Sequence, residues 1–190
     1  MTGAPTVPGL VARLVDVDDR GIHADDGSYA TWRQHVQTGA DLAAALRARL
    51  DPDKPPHVGV LLGNTPFFSA VLVAAAQAGL VVVGLNPTRR GAALRRDIEH
   101  ADCQLVLADD LANGYGDGFA PNGMAVIDVT SMQWAEELAT CADSPITFAD
   151  SAFDDLFMLI FTSGTSGEPK AVRCTHEKVA GPGVMLADRF

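Results

Sequence analysis

The chain has 190 residues and a mass of 19.9 kDa, and 47% of its residues are hydrophobic against 20% charged. This length and apolar content suffice for one sizeable buried core. The formal net charge of −10 argues against nucleic acid or an anionic membrane as the main partner. Any phosphate-bearing ligand therefore needs a locally built site.

The cysteines and the N-terminal residues indicate the cellular compartment of the protein. Cys103, Cys141 and Cys174 are odd in number and far apart, and their spacing is not that of metal ligands. We interpret them as reduced thiols in or near the core. The first 14 residues lack a basic segment followed by an apolar one, which argues against a secretory signal and predicts a cytoplasmic location.

In chain order, the first long element is a helix that begins after Thr31. Thr31 and Gln34 fit a capping box, and an apolar stripe at helical spacing runs from Trp32 to Leu50. Prolines at positions 52, 55 and 56 end this helix.

Residues 58–88 carry no charge and are long enough to cross a bilayer. Turn and cap residues interrupt this stretch at Asn64, Gly79 and Asn86. We therefore predict a strand at 58–62, a helix at 67–78 and a strand at 80–85, rather than a membrane span. Strands that are apolar on both faces are typical of a parallel sheet covered by helices.

The alternation of strands and helices continues to residue 140. Leu94, Ile98 and Ala101 indicate a third helix, and four arginines stand at its start: Arg89, Arg90, Arg95 and Arg96. We interpret these arginines as a solvated helix face rather than an anion site. The later predictions are strands at 104–108 and 125–129, a glycine-rich loop at 113–122 and a helix at 132–140. The predicted fold class is α/β, with a mostly parallel sheet layered with helices.

The segment with the clearest chemistry follows a buried strand predicted at residues 156–161. Glycines let backbone amides approach an anion, hydroxyls donate hydrogen bonds to phosphate oxygens, and a lysine adds positive charge. A loop that merely turns the chain is the alternative, and the preceding strand together with Lys170 makes it the weaker one. The spacing of Gly167 and Lys170 excludes the P-loop of the common nucleoside triphosphatases. The predicted phosphate-binding residues are Thr162, Ser163, Gly164, Thr165, Ser166, Gly167 and Lys170.

Residues 161–170 resemble the signature phosphate loop of the adenylate-forming superfamily, which includes acyl-CoA synthetases, peptide-synthetase adenylation domains and luciferases. The resemblance extends to residues 25–32 and 58–64 and covers the chain from about residue 21 to residue 178. Residues 84–94 and 175–178 are most similar to long-chain and very-long-chain acyl-CoA synthetases. Ala171 stands where many relatives have glycine, a minor departure.

The resemblance implies an enzyme that uses ATP, Mg²⁺ and coenzyme A to activate a fatty or other hydrophobic carboxylic acid. Thr162, Ser163, Thr165 and Ser166 would hold the β- and γ-phosphates while the carboxylate attacks the α-phosphorus. The products would be acyl-adenylate and pyrophosphate, and coenzyme A would then take the acyl group as a thioester. No catalytic residue and no metal ligand is predicted within the 190 residues.

The resemblance also implies a division of the chain. Residues 1–20 are expected to be a leader segment, and residues 21–190 the N-terminal α/β part of the large acyl-activating domain, truncated after the phosphate loop. The adenine and ribose contacts, the magnesium-binding acid and the C-terminal domain with its catalytic lysine are expected downstream, so this chain alone is expected to be inactive. A sheet interrupted in this way exposes an edge and an apolar face, which predicts marginal stability or self-association.

Other functions stay open from the sequence. One alternative is a non-catalytic module that binds a nucleotide or pyrophosphate, or one part of a split enzyme; another is a degenerate remnant without a ligand. Peripheral membrane association of the longer enzyme also stays open. His176, at the start of a predicted helix, is expected to cap or pack rather than to contact a ligand.

Overall fold

A six-stranded, mostly parallel sheet forms the centre of the fold. The computed structural model describes residues 5–109, 114–162, 170–187 and 189. The described strands are β1 (Gly21–His23), β2 (Tyr29–Thr31), β3 (His57–Leu61), β4 (Val81–Gly84), β5 (Leu105–Ala108), β6 (Ala125–Asp128), β7 (Leu156–Thr162) and β8 (Lys170–Thr175). The order in the large sheet is β6-β5-β3-β4-β7-β8, and the β7–β8 pair alone is antiparallel within it. Strands β1 and β2 form a separate antiparallel hairpin.

Helices cover both faces of the large sheet. The described helices are α1 (Val7–Val11), a short 3-10 helix (Ala12–Leu14), α2 (Trp32–Arg47), α3 (Pro66–Ala78), α4 (Gly91–His100), α5 (Met132–Thr140) and α6 (His176–Ala187). Apolar side chains of α2, α3 and α5 pack on one face, and those of α4 pack on the other. None of the helices in the described ranges is long and apolar enough to cross a membrane.

The charge-free segment forms the predicted strand, helix and strand. The Thr65 hydroxyl accepts a hydrogen bond from the Phe68 amide at the start of α3, and Gly79 ends the helix in the left-handed region at φ 68°. Strands β3 and β4 are parallel neighbours, and β5 lies on the other side of β3. The prediction of an α/β fold with a mostly parallel sheet is confirmed.

Helix α2 begins as predicted and ends earlier than its apolar stripe indicates. The Thr31 hydroxyl accepts from the Gln34 amide, and the Gln34 side chain accepts from the Thr31 amide, which confirms the capping box. The chain leaves the helix after Arg47 through a turn in which the Leu50 amide donates to the Arg47 carbonyl. Leu50 still packs against the core. Its apolar side chain therefore indicated burial and did not indicate that the helix continues to residue 50.

Helices α2 and α3 approach each other closely at Gly39. A Cβ atom placed on Gly39 would lie 2.3 Å from Val73 Cγ1, which is closer than two carbon atoms can pack. Beside this contact, the buried Gln77 side chain donates from Nε2 to the Val36 carbonyl at 2.8 Å. The absence of a side chain at position 39 thus sets the distance between the two helices.

The segment predicted as a leader includes helix α1. The Thr6 hydroxyl caps this helix, and Val11 is buried in the core. Helix α1 contacts α3 and α6.

The cysteines behave as the sequence predicts. All three thiols are free, and Cys103 is buried while Cys141 and Cys174 are half-buried. Burial, with a smaller contribution from the Asp102 carboxylate, raises the pKa of the Cys103 thiol to about 12. The interpretation of core or near-core thiols is confirmed.

Candidate functional site

The predicted phosphate loop connects β7 to β8. Thr162 and Lys170 stand directly opposite each other in the antiparallel register of these two strands. Ser163, Gly164, Thr165, Ser166 and Gly167 lie outside the described residues, as does the side chain of Thr162. The structure therefore brings the first and the last of the predicted site residues together.

Hydrogen bonds near the start of α6 fix the other end of the β7–β8 hairpin. The His176 amide donates to the Asp155 carbonyl at 3.0 Å, and the Glu177 amide donates to the Phe153 carbonyl at 2.8 Å. The Asp155 carboxylate in turn accepts from the Ala152 amide at 2.8 Å. The turn that precedes β7 is thus tied to the residues that follow β8.

His176 packs against this anchor. Its ring is buried, lies 5.1 Å from the Phe157 ring between centroids, and accepts a hydrogen bond at Nδ1 from the Val7 amide at 3.4 Å. Burial lowers the pKa of His176, and the Asp155 carboxylate opposes that shift. The prediction that His176 is a packing residue is confirmed.

The loop after β4 lies at the same edge of the sheet as the predicted phosphate loop, because β4 and β7 are parallel neighbours. Ligands of open α/β sheets bind at this carboxyl edge of the strands. Asn86 shapes the start of the loop by accepting at Oδ1 from the Thr88 amide and hydroxyl. Further along, Arg89 Nε lies 2.7 Å from Asp97 Oδ2.

Contacts within the protein engage Arg89, Arg90 and Arg95 of the arginine cluster. Arg95 pairs with Glu99 on the exposed face of α4. Arg90 donates to the Pro87 and Arg89 carbonyls. The prediction of a solvated face is wrong for Arg89, because its side chain is only 24% exposed and its partner Asp97 only 3%. Burial raises the pKa of Asp97, and Arg89, Arg96 and His100 oppose that shift.

A cleft of about 470 Å³ opens at the carboxyl end of β3, between the β1–β2 hairpin and the start of α3. Its polar lining includes Asp25, Asp26, Asn64 and Ser69. Ser69 Oγ lies 3.0 Å from Nε2 of the buried His35. Sequence reasoning missed this cleft, because a three-residue strand such as β1 leaves no periodic signal.

The metal-binding capacity of the described part is small. No group of three or more histidine, cysteine, aspartate or glutamate side chains within those residues is arranged to hold an ion. The Asp109 carboxylate, which follows β5, accepts a hydrogen bond from the Gly63 amide at 2.5 Å and so serves the turn after β3.

Comparison with known proteins identifies the family of the chain. Residues 10–186 match the family described as AMP-binding enzyme. This match covers most of the chain, so the chain belongs to the AMP-binding enzyme family. The resemblance to adenylate-forming enzymes noted from the sequence is confirmed.

Curated relatives match most or all of the chain. The medium/long-chain-fatty-acid–CoA ligase FadD17 of Mycobacterium marinum is 55% identical over 190 residues, which are all of this chain and 37% of that protein. FadD17 of Mycobacterium tuberculosis is 55% identical over 186 residues, 98% of this chain and 36% of that protein. The steroid-22-oyl-CoA synthetase of Rhodococcus jostii is 39% identical over 171 residues, 86% of this chain and 30% of that protein. The chain thus spans about a third of the length of these relatives.

Solved structures support the fold. The crystal structure of VinN superposes with a TM-score of 0.80 at 24% identity and covers 100% of this chain and 49% of its own. The N-terminal subdomain of Klebsiella oxytoca NpsA superposes with a TM-score of 0.71 at 20% identity, over 90% of this chain and 42% of its own. The arrangement of strands and helices is therefore shared with about half of each of these two chains.

Proposed function

We propose that the chain is the N-terminal part of an ATP-dependent acyl-CoA synthetase that activates a fatty carboxylic acid. The observation that carries the proposal is its 55% identity, over the whole chain, to a protein named as a medium/long-chain-fatty-acid–CoA ligase. The pairing of Thr162 with Lys170 at the carboxyl edge of the sheet supports a phosphate site there. The sequence resemblance included very long chains, and the names of the relatives favour medium and long ones.

In the proposed reaction, this part of the enzyme binds the leaving group. Thr162, Ser163, Thr165 and Ser166 hold the β- and γ-phosphates of ATP, and Lys170 neutralises their charge. The substrate carboxylate attacks the α-phosphorus, and the bond to pyrophosphate breaks. The coenzyme A thiol then attacks the acyl carbonyl, and AMP leaves. The loop contributes electrostatic stabilisation of phosphoryl oxygens, while the substrates supply both nucleophiles.

The remaining parts of the proposal follow the same resemblance. Mg²⁺ accompanies ATP, with its protein ligands outside the residues described. Residues 21–190 are the N-terminal α/β part of the large domain, preceded by a leader segment at residues 1–20. The location is cytoplasmic, with peripheral membrane association as a property of the longer enzyme.

Replacing Lys170 by alanine tests the phosphate site. We expect the affinity for ATP and for pyrophosphate, measured by isothermal titration calorimetry, to fall about 10-fold or more, since a hydrogen bond to a charged group contributes roughly 1.5–3 kcal/mol. Lys54→Ala is the matched control, because Lys54 lies before β3, at the amino edge of the sheet, and pairs with Asp51 on the surface. Equal nucleotide affinity in wild type and Lys170→Ala would show that the loop is assigned wrongly.

The purified 190-residue chain is not expected to form acyl-adenylate. The relatives are almost three times as long, and the resemblance puts the adenine contacts and the catalytic lysine outside these residues. The measurement is fatty-acid-dependent exchange of labelled pyrophosphate into ATP, with FadD17 of Mycobacterium marinum as the positive control. Exchange above the no-acid background by this chain alone would contradict the proposal and favour a shorter catalytic unit.

We also propose that the isolated chain self-associates. Ile160 of β7 and Val172 of β8 are directly opposite each other in register and are 40% and 44% exposed. Met185 and Leu186 of α6 are also exposed. Apolar side chains displayed together on a surface favour association.

A further inference from the structure

Residues 7–14, which are helix α1 and the short 3-10 helix after it, form an N-terminal strap that packs against helices α3 and α6. Val7 and Val11 contact the core beneath the strap. Among the described residues, the only hydrogen bond from the strap to any residue after Val17 joins the Val7 amide to Nδ1 of His176. Apolar packing supplies the rest of the attachment.

This hydrogen bond requires a neutral His176. A backbone amide can only donate, so Nδ1 of His176 must accept, and an imidazole nitrogen accepts only when it carries no proton. The single proton of the neutral ring is therefore on Nε2. Protonation of the ring turns Nδ1 into a donor, which sets two N–H groups against each other and removes the bond.

A positive charge on His176 finds little compensation in its surroundings. The residue is 5% exposed, and its ring lies against the Phe157 ring. Helix α1 contains no ionisable side chain. The Asp155 carboxylate favours the charged ring, but it already accepts a hydrogen bond from the Ala152 amide. Burial outweighs this carboxylate and lowers the pKa of His176 from its ordinary value of 6.5.

The charged side chains that neighbour His176 in the chain face solvent. Arg173 of β8 is exposed, and so are Glu177 and Lys178 of α6. The Lys178 ammonium group donates to the Arg173 carbonyl at 3.2 Å. Exposed charges are screened by water and salt, so these three contribute little to the protonation of the buried ring.

We infer that the N-terminal strap is a pH-sensitive latch: neutral His176 holds residues 7–14 on the fold, and protonated His176 releases them. In the released state the ring is open to water and titrates near its ordinary pKa of 6.5, whereas in the attached state its pKa is lower. The attachment is therefore at full strength above about pH 6.5 and weakens as the pH falls through the pKa of the attached state. Release exposes apolar core surface, and it does not depend on the proposed enzymatic function.

Amide hydrogen exchange of the full 190-residue chain, corrected for the intrinsic effect of pH on the rates, tests the latch. The Leu10 and Ala12 amides donate within the strap and report its opening. Their protection is expected to fall about 5-fold or more between about pH 7.5 and about pH 5, because one hydrogen bond is lost. The buried Val82 and Val83 amides of β4 report unfolding of the whole fold in the same sample. This separates opening of the strap from the effect of His35, whose pKa burial also lowers.

His176→Phe is the matched variant, because phenylalanine keeps a ring against Phe157 but neither accepts a hydrogen bond nor titrates. Its strap is expected to show the weaker protection at both pH values. Asp155→Asn removes the carboxylate that favours the charged ring and is expected to move the release to lower pH. Equal loss of strap protection on acidification in wild type and His176→Phe would overturn the latch, as would strap protection that stays constant across this range.

Light scattering of the same samples tests the proposed self-association separately from the latch. A mass of 19.9 kDa at every concentration would contradict self-association, whereas the latch is read from the exchange rates.

Val7→Pro removes the donor without changing His176, and it keeps the test informative if His176→Phe fails to fold by circular dichroism. Val7 is the first residue of α1, where proline is tolerated, and Thr6 before it is already extended at φ −109° and ψ 155°. Val7→Ala is the control, because it keeps the amide. At about pH 7.5, strap protection is expected to be about 5-fold lower in Val7→Pro than in Val7→Ala. Equal protection in these two variants would overturn the latch, since the bond to His176 would then contribute nothing to the attachment.

Discussion

Replacing Arg89 by methionine is expected to lower the free energy of unfolding by about 3 kcal/mol at neutral pH, the lower end of the range for breaking a buried ion pair. Asp97 is 3% exposed, and Arg89 is its closest cationic partner at 2.7 Å. Methionine keeps an apolar stem of similar length, so the change removes the charge together with the hydrogen bond that Arg89 Nη2 donates to the Ala93 carbonyl at 3.2 Å. Urea unfolding followed by circular dichroism measures the effect.

The matched control is Arg95→Met. Arg95 forms an ion pair with Glu99 on the same helix, and the two side chains are 33% and 52% exposed. Surface pairs of this kind contribute about 1 kcal/mol or less. If Arg89→Met and Arg95→Met lose equal stability, the buried pair contributes nothing beyond an exposed one, and the interpretation of Asp97 is wrong.

The loss of stability caused by Arg89→Met is expected to grow as the pH rises. Burial raises the pKa of Asp97 above 3.8, so protonated Asp97 favours the folded state. That contribution is fully present below the unfolded pKa and is lost as the pH rises through the folded one. Removing Arg89 raises the folded pKa further. The stability difference between wild type and variant is therefore expected to be small near about pH 4 and to grow as the pH rises. A difference that is constant across this range would contradict the assignment.

Gly39→Ala is expected to destabilise the chain by about 2 kcal/mol, the middle of the range for overpacked cores. The new Cβ would lie 2.3 Å from Val73 Cγ1 and 2.9 Å from Val73 Cβ, so helices α2 and α3 must move apart. The intrinsic helix preference of alanine over glycine, about 1 kcal/mol, acts in the opposite direction and cannot offset the clash. Thermal and urea unfolding report the net effect.

Two further variants separate packing from helix propensity. Gly183→Ala makes the same substitution in α6, where no described atom outside the adjoining helix backbone lies within 4 Å of the new Cβ, and it is expected to be neutral or stabilising. Gly39→Ala combined with Val73→Ala is expected to recover part of the loss, because Cγ1 is removed and Cβ remains. Additive effects of the two substitutions would mean that they do not meet in the folded protein.

The sequence was sufficient to predict the elements that carry their own local signals. The strand, helix and strand within residues 58–88 were predictable, because caps at Thr65 and Gly79 divide an otherwise continuous apolar run. The start of α2 was predictable from Thr31 and Gln34. In each case, the capping residue and the residue that it hydrogen-bonds lie within about one helical turn of each other.

The features that the sequence did not predict depend on partners distant in the chain or on pairing between short segments. Strand order is one of these, since nothing local indicates that β5 crosses over to lie beside β3. The burial of Asp97 is another, because a charged residue in a helix with basic neighbours has the pattern of a solvated face. Of the candidate site, the residue types and the delivering strand were predictable, whereas the pairing of Thr162 with Lys170 required the register of β7 and β8.

The pairing of Thr162 with Lys170 separates two properties of the candidate site, ligand affinity and folding stability, that could otherwise change together. Because Thr162 and Lys170 are held opposite each other by the sheet, the entry and exit of the connecting segment stay fixed when residues 163–169 are altered. Under the proposed function, substitutions there are expected to change the affinity for phosphate more than they change the stability of the sheet. Sequence drift within the segment is therefore expected to alter that affinity before it alters folding.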